Sequence, residues 1–381
     1  MVQSIKHPAF NWADGMKISE RHFFSHDNFI IDSLRDVSSL YLNKFNYGLL
    51  PTATSADENS IFAIYKGATN DIQLVIKHCS AITPAGYRID LSDYTTNIKS
   101  LSKTLNSQEE NADEDFYVLI SVNPFERVPF GDIDPEETPP RQPFTASKHY
   151  IDLLSAKNLV NNQSGGNYLV IGKVNLRNNM VQADRNFIPP CTSIYSHYSL
   201  LKYYRNFAKY MDDLQQFSFK IIQKTINANQ NTVLANNIPS VCSTLVHHVA
   251  NVYFCFRTLI PGLPPIYLVD LFSRMALHLY NHMQSLRPAE LEEMLNYVFE
   301  WSEIAPHTLT NRLSNVAEIN YDHNQNGAYL MDIQELLMNL EIILGKLSEL
   351  DYIGQHKENI IVNERDITPA PKAKKGWNIL D

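Results

Sequence analysis

Hydrophobic positions along this chain change their period twice. Between Ser19 and about Lys44, Phe23, Ile30, Leu34, Val37 and Tyr41 recur at steps of seven, four, three and four, which puts them on one face of a helix. Beyond Tyr47 the pattern shortens. SIFAIYKG, DIQLVIKHC, AGYRIDL, DFYVLISVN, HYIDLLSA and NYLVIGKVNL are rich in β-branched and aromatic residues and are bounded by Asp, Gly, Pro and Ser. Turn signals at Ser164–Asn167 and Asn178–Asn179 separate the later ones. Many short strands with little helix among them predict an antiparallel sandwich or barrel. The stretch from Asn123 to Pro143 carries Pro124, Pro129, Pro135, Pro139, Pro140 and Pro143, so it is expected to leave the ladder as a long excursion.

Pro189–Pro190 closes the β region, and from Ser199 the period is helical. Leu200, Tyr204, Phe207, Met211 and Leu214 form one stripe, resumed by Ile221 after Ser218. Val241, Leu245, Val249, Val252, Phe256 and Leu259 form a second. Leu268, Phe272, Met275 and Leu279 make a third, Ala289 to Ile304 holds a shorter fourth, and Leu330, Ile333, Leu337, Leu340, Leu344 and Leu347 a fifth. Such narrow stripes predict core positions of an antiparallel bundle. After Leu350 the periodicity stops. The expected organisation is therefore a β-sandwich over residues 1–190 with an initial helix at about 19–44, a helical bundle over 191–352, and a flexible polar tail over 353–381.

Composition narrows the function classes. The 381 residues are 44% hydrophobic and 19% charged, enough to build substantial cores. A formal charge of -9 opposes broad attraction to phosphates, so nucleic acid is not an expected partner. Four scattered cysteines (Cys79, Cys191, Cys242, Cys255) form no CxxC pair and fit buried thiols in a reducing compartment. The N-terminus lacks the apolar core of a signal peptide. The most apolar stretch, Ala250 to Phe272, is interrupted by Arg257, Asp270 and prolines, so no membrane insertion is expected and a cytoplasmic location is.

The sequence offers little chemistry. It contains no GxxxxGK[ST] phosphate loop and no GxSxG elbow. His22 and His26 are spaced i,i+4 and are the best metal candidates, the basis of an alternative reading as a metal-dependent hydrolase. Phe23-Phe24-Ser25 stand between them, so the Glu of HExxH is missing, and no third ligand is identifiable. His247 and His248 are neighbours that point in different directions. Glu292, Glu293 and Glu300 read as a solvated helix face. Neither catalysis, a metal nor a cofactor is expected.

Trp12-Ala13-Asp14-Gly15-Met16, followed by Arg21-His22-Phe23 and Asp27, resembles the opening of the TssK family (also ImpJ or VasE), baseplate subunits of the bacterial type VI secretion system. Phe187-Ile188-Pro189-Pro190-Cys191 is similar to the family's passage from β domain to first long helix, and Pro264-Pro265-Ile266-Tyr267-Leu268-Val269-Asp270-Leu271 to a bundle-helix element. The resemblance implies a β-sandwich shell, a helical neck, a homotrimer, and contacts with other baseplate wedge subunits of the TssF and TssG kind at the inner-membrane face. No counterpart of the family's C-terminal head, which meets the membrane complex, is expected in the residues after the last helix. The tail, with Lys372, Lys374 and Lys375 before Trp377, Ile379 and Leu380, is the candidate replacement. A phage-tail-like or stand-alone adaptor is the alternative within the same architecture.

The same residues can be read physically. Gly15 permits positive φ or close backbone approach, and an aromatic such as Trp12 in an N-terminal arm either folds back or anchors a partner. His22 is suited to brace that turn without a metal. Trp12, Gly15, Met16, His22, Phe23, Asp27, Trp377, Ile379 and Leu380 are the candidate partner-binding residues.

Overall fold

A computed structural model describes residues 4–52, 61–67, 72–98, 114–155, 166–177, 180–228 and 231–357. The first helix, α1, spans Glu20–Ser39. It stops short of Lys44 because Leu40 and Tyr41 turn the chain and Asn43 and Asn46 satisfy local backbone groups, with the Asn43 N–H donating to Asn46 Oδ1 at 2.7 Å. Among the described residues eight strands follow: β1 (Gly48–Leu49), β2 (Phe62–Lys66), β3 (Ile72–Ile82), β4 (Arg88–Ile98), β5 (Glu114–Phe130), β6 (Phe144–Ser155), β7 (Tyr168–Arg177) and β8 (Met180–Ala183).

The strands form two antiparallel four-stranded sheets. In the first, β1 and β2 succeed one another along one edge of β3, and β4 takes the other edge. The second has the order β6-β5-β7-β8. Period-two burial is clear in β3, where Ile72, Leu74 and Ile76 are buried while Gln73 faces out. The inner faces of both sheets share one core, in which Phe62, Ile89, Val118, Ile120 and Ile171 are buried.

The proline-rich excursion is shorter than the sequence suggested. β5 keeps pairing with β6 from Arg127↔Ser147 to Phe130↔Phe144, and only residues 131–143 leave the ladder. Beyond Ser121, β5 is no longer paired with β7, so it has become an edge with one neighbour. An edge strand tolerates Pro129, and the register shift between Asn123 and Arg127 accommodates Pro124.

The helical half contains α2 (Tyr198–Asn227), α3 (Val233–Phe254), α4 (Pro265–Gln284), α5 (Pro288–Ser302), α6 (Pro306–Ala317) and α7 (Asn326–Glu349). The stripes are core except at Leu259, which is exposed past the end of its helix: Phe207, Leu214, Phe272, Met275, Leu330, Ile333 and Leu337 are fully buried or nearly so. The second stripe is not one α-helix, because Cys255–Leu259 widens to a π turn before Pro261. α6 has no counterpart among the expected stripes, although Pro306 at its first position and Leu309, Leu313 and Val316 at steps of four and three mark it. Residues 354–357, expected in the tail, are bonded to the bundle. Gly354 N–H donates to Tyr297 Oη at 3.0 Å, Trp301 Nε1–H to the Gln355 carbonyl at 3.0 Å, and Lys357 N–H to Glu300 at 2.6 Å, so residues 354–357 dock on α5. Glu300 is thus an acceptor for the chain end and not a solvated charge. Trp377, Ile379 and Leu380 lie outside the described residues.

Candidate protein-interaction surface

The N-terminal arm is fastened to α1 from within. Asp32 and Arg35, one turn apart, are its two buried residues and pair at 3.0 Å. The Asp32 carboxylate accepts the backbone N–H groups of His7, at 3.0 Å, and Lys6, while Arg35 Nη2 donates to the Ser4 carbonyl at 3.3 Å. Burial alone would raise the Asp32 carboxyl, but the His7 and Lys6 donors and the Arg35 charge outweigh it and hold it below the usual carboxylate range. Further along the arm the His7 ring lies 4.2 Å from Phe125, and Phe10 packs 4.8 Å from both Trp12 and His22.

Trp12 takes an intermediate course between the two expected for it. Its ring lies 6.3 Å from His22 and from His26, yet it remains 46% exposed and enters no core. Gly15 serves by conformation: its φ is +75°, in the turn that brings Met16 N–H back to the Ala13 carbonyl, and nothing crowds the space a Cβ would take. Met16 is half-buried. His22 braces the helix start, where Ser19 N–H donates to its Nδ1 at 3.1 Å and His22 N–H donates to the Ser19 carbonyl at 3.0 Å. That contact occupies a nitrogen a metal would need, and among the described residues no group of three or more His, Cys, Asp or Glu could hold an ion. Asp27 is engaged internally, accepting from Arg127 Nη1 at 3.0 Å; Arg127 also donates to Asn28 Oδ1 at 2.9 Å and lies over the Phe24 ring. Arg127 therefore fastens α1 to the bulged part of β5.

The predicted apolar face of α1 points outward. Phe23, Ile30, Leu34, Val37 and Tyr41 are all exposed, and Phe130, Ile133 and Phe144 are exposed at the end of the β5–β6 hairpin. Sequence periodicity found the stripe but could not say which side of the helix met the protein. The hairpin tip was hidden by its prolines.

A second arrangement, unseen in the sequence, joins the two halves. His323 Nε2 lies 2.9 Å from the Tyr47 carbonyl, Tyr321 Oη is 2.8 Å from His323 Nδ1 and donates to Asn326 Oδ1 at 2.6 Å, and Asn326 Nδ2 donates to the carbonyls of Pro189 and His323. Leu49 N–H donates to the Pro190 carbonyl at 2.8 Å and Thr192 N–H to the Leu49 carbonyl at 2.9 Å. Burial holds the His323 imidazole below its usual range despite the Tyr47 contact. Asn320–Asn326 reads as a polar loop in sequence, so nothing marked it as a buried connector. Cys79, Cys191 and Cys242 are buried and free, and burial pushes the thiols of Cys79 and Cys242 up to about 12, which makes them inert packing groups. Cys255 is only half-buried.

Among the described residues no helix is long and apolar enough to cross a membrane. No protein-family model matches the chain, and no curated protein matches its sequence. Solved structures similar to it in arrangement include the following. A crystal structure of TssK is 14% identical with a TM-score of 0.47, covering 88% of this chain and 69% of that one. A chain of the type VI secretion system baseplate complex is 14% identical with a TM-score of 0.45, covering 77% and 99%. TssK from the EAEC system, in complex with nanobody nb18, is 13% identical with a TM-score of 0.44, covering 81% and 65%.

Proposed function

We propose that this chain is a non-enzymatic structural subunit of a type VI secretion baseplate, working in the cytoplasm at the inner-membrane face. The observation that carries the proposal is the outward apolar surface of the β half, where α1 exposes Phe23, Leu34 and Val37 and the end of the β5–β6 hairpin exposes Phe130, Ile133 and Phe144. Monomeric proteins rarely leave such a surface uncovered, and its place beside an internally anchored arm suits protein partners. The Trp12–Asp27 and Phe187–Cys191 elements, in the order of the TssK pattern, support the same reading. The buried Tyr321–His323–Asn326 connector supports a transmitting role, since it lets load on the sheets reach the bundle without a flexible linker.

In this reading the chain is a homotrimer, its β half meets wedge subunits of the TssF and TssG kind, and the Trp377–Leu380 end of the tail contacts the membrane complex. Residues 1–190 act as the shell, 191–357 as the neck, and the residues that follow as the tail. Native purification with identification of the co-purifying proteins tests the assignment. Recovery of wedge subunits is expected, and recovery of the chain alone at native abundance refutes it. Deleting residues 370–381 is expected to leave the trimer intact and abolish secretion; unimpaired secretion removes the tail from the proposal.

A further inference from the structure

The two halves of the chain meet around a cleft of about 910 Å³, at the top of the roughly 300–1,000 Å³ range of small-molecule pockets. The β half contributes Lys77 on β3 and Arg185 in the turn after β8, and the helical half contributes Lys202 and Asn206 on α2 and Gln334 on α7. The charge of this cleft is opposite to that of the whole chain. Lys77, Arg185 and Lys202 bring three positive charges from three separate elements, in a chain whose formal charge is -9. Asp184 is the only carboxylate among the described lining residues, and it already accepts the Asn186 N–H at 2.9 Å. The three cations form no ion pair among the described residues. The N-terminal end of the 30-residue α2, whose Ser199 lines the same cleft, adds to the positive potential. Cations gathered in one cleft focus the field there and raise the local concentration of anionic groups.

We infer that this cleft binds an acidic peptide segment of a protein partner, which crosses from the sheets to the bundle. The inference deepens the protein-binding reading above, giving a partner a chemistry and a place separate from the outward face of α1. Charge selects an anion, and two other features select a peptide. The Asn206 and Gln334 side chains each offer a donor and an acceptor, and neither amide is hydrogen-bonded among the described residues. A peptide unit matches that pair, whereas a phosphate or a free carboxylate has no donor for the amide oxygen. Ile61, Phe187 and Tyr203 are half-buried in the same cleft and offer apolar surface to side chains between the carboxylates, from which a small polyanion would gain nothing. A segment bonded to Lys77 and Lys202 at once ties β3 to α2, and so reinforces the junction that Tyr321, His323 and Asn326 already hold.

Fluorescence anisotropy of the full chain with a short labelled peptide of alternating glutamate and leucine is the direct test. Saturable binding is expected, weakening as salt rises. Lys202→Glu and Arg185→Glu should each weaken it at least tenfold. Lys220→Glu, an equal change of net charge at an exposed position far along α2, should weaken it less than twofold. Gln334→Leu should weaken it at least threefold with an unchanged salt dependence, because the amide carries no charge. Urea midpoints within error of wild type establish that each variant is folded. Equal weakening by Lys202→Glu and Lys220→Glu overturns the cleft in favour of diffuse attraction. Pyrophosphate that binds as tightly as the peptide and displaces it overturns the peptide and leaves a small-anion site. A peptide that fails to bind, while the native protein still co-purifies with wedge subunits, overturns the cleft and leaves the baseplate reading standing. Peptide binding by a chain recovered alone from cells supports the cleft and overturns the baseplate reading.

Discussion

Gly327, in the first turn of α7, is a position where two effects of opposite sign meet. Replacing a helical glycine by alanine restricts the unfolded chain and favours the helix, by at most about 1 kcal/mol. At Gly327, however, an added Cβ would lie 2.5 Å from the carbonyl oxygen of Asn186. That oxygen is backbone, in the segment leading from β8 to Pro189, so it cannot swing aside as a side chain could. Relief requires the start of α7 and residues 186–188 to separate by several tenths of an ångström, in a place where Asn326 holds the Pro189 carbonyl. Overpacking of this kind costs roughly 1–3 kcal/mol, which exceeds the propensity gain. Gly345 on the same helix supplies the control. A Cβ there meets only the Phe217 ring at 3.6 Å, an ordinary contact, so propensity should decide. Gly327→Ala should therefore destabilise by about 1–2 kcal/mol net, and Gly345→Ala should stabilise by up to about 1 kcal/mol. Urea unfolding followed by far-UV circular dichroism reads both, and amide exchange at Leu49 and Thr192 should rise in the first variant alone. Equal stabilisation by the two alanines would refute the close approach of α7 to the Asn186 segment.

Asp32→Ala should cost about 3–5 kcal/mol by leaving Arg35 buried without its carboxylate, and limited proteolysis should then cut the N-terminal arm first; an arm as resistant as wild type would refute the clamp. Acidification should destabilise the fold between about pH 6.5 and 4. His248 is buried and His197 half-buried, each neutral and lowered to about 4 chiefly by loss of solvation, with His278 and Arg274 adding to it at His248. The unfolded chain binds these protons first, so stability is fully present above about pH 6.5 and each group forfeits at most roughly 3 kcal/mol as pH falls through 4. Denaturant midpoints that stay flat over that window would contradict the desolvation of both imidazoles. Joint substitution of His22→Ala and His26→Ala should fray the start of α1 without changing metal content, measured by elemental analysis of untagged protein; loss of a stoichiometric transition metal would refute the bracing role.

What the sequence determined by itself was local. Alternation fixed strands such as Ile72–Ile82, and four-three spacing fixed the helices carrying Phe207, Phe272 and Leu337, because burial of one face writes its period into the chain. The bracing of the Trp12–Asp27 segment by His22 and the positive φ of Gly15 were likewise within reach, since each depends on neighbours a few residues away. Only the tertiary structure decided what each face meets. Periodicity placed Phe23, Ile30, Leu34 and Val37 together but carries no sign, and it was the buried Asp32–Arg35 pair, bonded to an arm some 25 residues earlier, that turned the stripe outward. The same holds for Pro129, tolerated because β5 has lost one neighbour, and for Asn326, whose partner Pro189 lies 137 residues away. Contacts between distant segments leave no period in a single sequence, so the connector and the outward face of α1 became visible only once the sheets and helices were packed.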